Sequence, residues 1–167
     1  MTEFMHLPRR LARLAGAALL GCAALAAHAQ GAPQSVAWEI RVMRDGQSVD
    51  TFHQTTAVGQ SRTDTHTYPV TVPADCTGEI ASAVAATHPQ RTRTVTVAPL
   101  DVQAGTISLA IDVQDTFDDA GHCTLSPRQV SASHPGLGVH ADTWTDWTLV
   151  DSSPHLVYQV RAHVSGN

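Results

Sequence analysis

Lysine is absent from all 167 residues, so the ten cationic side chains are all arginine. That absence excludes a lysine Schiff base and a lysine-held phosphate. Glutamate is nearly missing too: beyond residue 29 only Glu39 and Glu79 occur. The chain contains neither an H-E-x-x-H motif nor a glycine-rich phosphate loop. It also lacks the G-x-S-x-G elbow of a hydrolase, since Gly46-Gln47-Ser48-Val49-Asp50 has no second glycine. Long apolar runs are missing as well. Leu14 to Ala27 spans 14 residues, short of the roughly 20 that a membrane-crossing helix needs.

What is present begins at the N-terminus. Arg9, Arg10 and Arg13 lead into that apolar run, which ends in the small-residue triplet Ala27-His28-Ala29. A basic front, a short apolar middle and an A-x-A exit predict a secretory signal peptide over 1–29, cleaved after Ala29. Ala12 and Arg13 stand where a twin-arginine signal needs two apolar residues, so export by the Sec route is expected. Leu19-Leu20-Gly21-Cys22 resembles the lipobox of bacterial lipoproteins, which implies an alternative, lipid-anchored form acylated at Cys22. The run stays apolar from Ala23 to Ala27, however, and this favours the later cleavage. The mature domain, 30–167, is expected to be periplasmic or secreted.

In an oxidising compartment the two remaining cysteines, Cys76 and Cys123, are expected to pair. A disulfide closing that loop of roughly 48 residues is worth about 4 kcal/mol in the chain-entropy account. A bonded sulfur cannot attack, so neither cysteine is expected to be a nucleophile. For the same reason His122 beside Cys123 does not make a copper site, and the Thr124-Leu125-Ser126-Pro127 that follows supplies no further ligand. The 138 residues past the signal suit one domain with one core. They carry seven arginines against fourteen acidic residues, a net charge of −7. Such a surface repels phosphate backbones and gives nucleic-acid binding no electrostatic support.

Alternating Thr, Val and Ser runs predict strands. Val36, Trp38, Ile40 and Val42 alternate with more polar neighbours, and so do Ile107, Leu109, Ile111 and Val113. Further strands are expected at 48–57, 62–72, 80–86, 91–98, 129–133, 143–150 and 155–164. Pro73 and Pro99 mark breaks in pairing. Eight or nine short strands predict an all-β fold, an antiparallel β-sandwich or small barrel with one disulfide. The last strand, near the chain end, is expected to lie at an edge open to strand addition.

Two turns set an expected register. Asp45-Gly46 would place Val42 opposite Val49 and Ile40 opposite Thr51, and Gly59-Gln60 would place His53 opposite His66. With Asp64 diagonal to His53, these residues make a candidate Zn²⁺ or Cu²⁺ site of two imidazoles and a carboxylate. The alternative is that His53 and His66 stack on Trp38. Asp112, Asp115, Asp118 and Asp119 crowd the stretch before Gly121, but they lack the D-x-D-x-D-G order of a calcium loop. In the final hairpin Leu149 should meet Leu156, Trp147 should meet Tyr158, and Thr145 should meet Val160. On its other face Trp144 should lie against Arg161 as a cation–π pair.

The expectation from sequence is therefore an exported, non-catalytic β-sandwich that binds a protein or envelope partner or serves as an envelope or surface component. The second reading is a periplasmic metal-binding protein using His53, His66 and Asp64. Length and one disulfide also fit a fimbrial-type subunit. Cys76, however, comes late in the mature chain, and no aromatic closes the C-terminus, so no family resemblance follows.

Overall fold

Strict alternation of apolar and polar residues builds the strands. In the computed structural model, which describes residues 34–70, 78, 79, 82, 83, 86, 90–117 and 128–166, eight strands form two antiparallel sheets. They are β1 (Ser35–Arg44), β2 (Gln47–Ala57), β3 (Arg62–Pro69), β4 (Gln90–Gln103), β5 (Thr106–Phe117), β6 (Arg128–His140), β7 (Thr145–Val150) and β8 (Leu156–Ser165). The expected signal (1–29), Cys22 and the Cys76–Cys123 disulfide lie outside the described residues, as do Pro73, Asp118, Asp119 and His122. Among the described residues no helix is long and apolar enough to cross a membrane.

Sheet I has the order β2-β1-β8-β7 and sheet II the order β3-β4-β5-β6. Within each sheet consecutive strands pair, the chain crosses between sheets from β2 to β3 and from β6 to β7, and β8 returns to pair with β1. The result is an up-and-down meander closed on itself and then split into a sandwich along two seams, β2/β3 and β6/β7. The expected edge position of the last strand is overturned, because β8 lies between β1 and β7. The edges are instead β2 and β3 at one seam and β6 and β7 at the other. Side chains bridge these seams: Phe52 stacks on His66 with ring centroids 4.2 Å apart, and His134 meets Trp147 edge-on at 5.7 Å.

The core lies between the sheets. Val36, Trp38, Ile40 and Val42 of β1, Phe52 of β2 and Leu156, Tyr158, Val160 and Ala162 of β8 face it from sheet I. Val95, Val97, Ile107, Leu109, Ile111, Val113, Leu137 and Val139 meet them from sheet II. The indole N–H of Trp38 donates to Thr56 Oγ1 at 3.0 Å, which satisfies it in the interior.

Two expected pairings fail for identifiable reasons. The Asp45-Gly46 turn forms, with both residues at positive φ (49° and 80°), as a tight hairpin of this kind requires. A bulge between Val42 and Met43 then leaves Val49 as an extra residue on β2, so that Val42 faces Asp50 and Ile40 faces Phe52. One residue of slip exchanges the faces of a strand. Phe52 accordingly turns inward, and Val49, expected on the apolar face, is 43% exposed. The Gly59-Gln60 turn joins no hairpin, since β2 and β3 belong to different sheets. Gly59, at φ 81°, carries the chain across and donates its N–H to the Pro99 carbonyl at 2.8 Å.

Smaller differences follow the same logic. Where a strand is expected at 80–86, the described residues Ser82, Ala83 and Ala86 have helical backbone, as does Glu79, and the Ser82 N–H donates to the Gly78 carbonyl at 3.2 Å. β6 continues past Pro135 to His140 through a register shift, which an edge strand tolerates because proline's missing donor costs no ladder bond there. Pro99 likewise sits at a register shift, between β4 and β5. In the last hairpin Thr145 meets Val160 and Trp147 meets Tyr158 as expected, but a shift after Thr148 gives Leu156 to Val150 instead of Leu149.

Candidate functional site

The outer face of sheet I carries one cluster of candidate side chains. The ladder aligns His53, Glu39 and Arg161 in one row across β2, β1 and β8, and Thr55, Ala37 and His163 in the next. Ala37 is the smallest of these, so the middle of the second row is low. The depression is a groove of about 690 Å³ whose lining includes these six residues together with Arg62, Asp142, Trp38 and Gln54.

Its electrostatics are uneven. Glu39 Oε2 accepts from Arg161 Nη2 at 2.6 Å, and Oε1 accepts from Arg41 Nε at 3.3 Å. Partial burial alone would raise the Glu39 pKa, but the Arg161 and Arg41 guanidiniums outweigh it and hold the carboxyl below its ordinary value. Both arginines also lie over the Trp144 ring, Arg41 at 4.2 Å from the centroid and Arg161 at 4.7 Å. The Trp144–Arg161 contact was legible from the hairpin register. Arg41 was not, because it arrives from β1 on the far side of β8. His163 Nδ1 lies 3.5 Å from Asp142 Oδ1. Neither Arg62 nor His53 has an ion-pair or hydrogen-bond partner among the described residues.

A second polar cluster sits inside the sandwich where β2 meets β3. Arg93 of β4 donates through Nε to Asp115 Oδ2 at 2.9 Å and through Nη1 to Asp50 Oδ2 at 3.0 Å. The Tyr158 hydroxyl donates to the same Asp115 oxygen at 3.1 Å. His66 Nδ1 lies 3.0 Å from Asp50 Oδ1 and 3.2 Å from the Tyr68 hydroxyl. Asp115 is fully buried, and its Oδ1 has no partner among the described residues. Asp50 reaches this interior only because the Val49 bulge turns it inward. No sequence signal marked it.

Burial and the neighbouring Asp50 carboxylate raise the Tyr68 pKa, and burial with Asp115 raises that of Tyr158. Both phenols therefore stay protonated and donate. Desolvation alone would push Asp50 upward, but hydrogen bonds from Tyr68, His66, Arg93 and the Thr51 N–H prevail, and its pKa is lowered. The unfolded chain then binds this proton more readily than the folded one, so Asp50 stabilises the fold above its unfolded value near 3.9. That contribution is lost as pH falls from about 5 toward the lower folded value. Urea midpoints at pH 6 and pH 3 should fall more in the wild type than in Asp50→Asn, which is already less stable at pH 6. Equal falls would remove Asp50 from the acid response.

The structure does not bring the candidate metal ligands together. His53 projects from the outer face of sheet I, opposite Glu39. His66 lies on the inner side, stacked on Phe52 and not on Trp38. Asp64 accepts from the Gln54 amide at 3.4 Å and from the Thr65 N–H at 2.9 Å. The bulge and the β2/β3 seam separate the three, so the Zn²⁺ or Cu²⁺ arrangement drawn from the hairpin register is not formed. No group of three or more His, Cys, Asp or Glu side chains suited to a metal occurs among the described residues. The acidic stretch divides likewise: Asp115 is interior, whereas Asp112 is exposed and accepts from Ser133 Oγ at 2.5 Å.

The chain matches no known protein family, no curated protein and no solved structure.

Proposed function

We propose that this chain is an exported, non-catalytic binding domain whose ligand occupies the groove over β2, β1 and β8. The observation that carries the reading is the groove itself. Its volume of about 690 Å³ falls within the range of roughly 300–1,000 Å³ common to small-molecule sites, and several polar side chains converge on it.

The chemistry of those groups favours holding a ligand over transforming one. Glu39, held below its ordinary pKa by two guanidiniums, is a weak base. Among the described lining residues Thr55 carries the sole hydroxyl, and no serine or cysteine stands beside it. A ligand at 100 times its dissociation constant should stabilise the folded domain by about 2.7 kcal/mol, visible as a raised melting temperature in a small-molecule panel. Turnover of a hydrolase substrate that vanished with one point substitution in the groove would overturn the non-catalytic reading.

Export rests on the N-terminal pattern of Arg9, Arg10, Arg13 and Ala27-His28-Ala29. Intact mass of the protein secreted by a Gram-negative host is expected to match a chain starting at Gln30 and two hydrogens lighter than its reduced form. A chain starting at Cys22 and carrying acyl groups would replace the free periplasmic domain with a membrane-tethered one.

A further inference from the structure

We infer that the groove on sheet I takes an anionic small molecule, bound through carboxylate or phosphate oxygens by Arg62 and Arg161. This rests on the reading of that groove as the ligand site. Two carboxylates line it, and each already has a cationic or imidazole partner: Glu39 lies between Arg41 and Arg161, and Asp142 lies beside His163. The group left over is a cation. Arg62 has no partner among the described residues, and His53 adds an imidazole with none. One Glu39 charge also divides between two guanidiniums, so Arg161 keeps unspent positive potential and free N–H donors.

The placement matters as much as the count. Arg161 stands on β8, and Arg62 enters from the β3 side of β2. Strands β2 and β8 flank β1, two strand spacings or about 10 Å apart. Cationic groups thus border both sides of a low floor at Ala37. A guanidinium presents paired N–H donors that match a carboxylate or a phosphate. The secreted chain, with seven arginines against fourteen acidic residues and a net charge of −7, exerts little general attraction on anions, so the selectivity is local.

The test is calorimetric titration of the full secreted chain with citrate, inorganic phosphate and maltose at low ionic strength. Two substitutions at groove-lining residues separate the possibilities. Arg62→Gln removes the charge and keeps the length, while Ala37→Trp fills the floor against any ligand. Citrate or phosphate is expected to bind the wild type, about tenfold more weakly after Arg62→Gln, and not at all after Ala37→Trp. The affinity should fall as salt rises. Maltose bound by the wild type and by Arg62→Gln but lost in Ala37→Trp would keep the groove and overturn its anion preference. Anions bound equally by all three proteins, or probes bound by none, would overturn both. Thermal melts of the two variants confirm folding, and Arg62→Lys should restore most of the affinity.

Discussion

Arg93→Met is expected to destabilise the protein by about 3–5 kcal/mol, the usual cost of removing one partner from a buried ion pair. Asp115 is fully buried and Arg93 only 7% exposed, so water cannot replace the lost guanidinium. Asp115 would keep the Tyr158 hydroxyl alone, and Asp50 would keep His66, Tyr68 and its own backbone contact. Domains of this size are stable by about 5–15 kcal/mol, so the loss takes a large share. It should lower the melting temperature by about 10–20 °C. Adding Asp115→Leu to Arg93→Met should recover part of the loss, because an apolar pair replaces an unpaired charge. A melting temperature within 3 °C of wild type for Arg93→Met would show that the cluster is solvated.

The second large effect is expected at Phe52. Its side chain is 1% exposed and packs on the His66 ring, at the seam where β2 and β3 share no backbone ladder. Phe52→Ala removes a buried aromatic, a change worth about 3–5 kcal/mol through lost transfer energy and the cavity left behind. The adjacent residue supplies the control. His53→Ala, on the outer face, should change stability by no more than about 0.5 kcal/mol. Under the hairpin register expected from sequence the two variants would exchange effects, so urea unfolding of this pair tests the Val49 bulge directly. Amide exchange should also speed up in β2 and β3 of Phe52→Ala before it does in β5, the strand between β4 and β6.

Much of the fold was legible because alternation is a local property. Val36 to Val42 and Ile107 to Val113 announce which side of each strand is buried, and the structure buries those eight side chains. Turn chemistry was legible for the same reason at Asp45-Gly46, where the dipeptide itself favours the backbone it adopts. The Trp144–Arg161 contact followed from one hairpin with a correct local register. Each of these depends on residues close in the chain.

The errors share the opposite cause. A bulge adds one residue to a strand without altering its composition, and Val49, Thr51 and His53 alternate as convincingly as Asp50, Phe52 and Gln54. Which set faces inward depends on what the other sheet offers. The interior offers His66 and Arg93 as partners for Asp50, while Val49 is left 43% exposed. Whether Gly59-Gln60 closes a hairpin or crosses between sheets is likewise settled by β3 pairing with β4, through contacts made some 30 residues further along the ladder, as in Thr63 to Thr96.

Sequence by itself determined the all-β class, most strand positions and the apolar faces of β1 and β5, because period-two alternation needs no knowledge of distant partners. It also carries the N-terminal pattern on which the proposed export rests. Only the tertiary structure decided that β8 is interior, that His53 and His66 point to opposite sides of their seam, and that Glu39, Arg41, Arg161 and Trp144 meet. Those outcomes depend on strand order and on a one-residue bulge. Both are set by packing between sheets, which the spacing of residues along one strand does not encode.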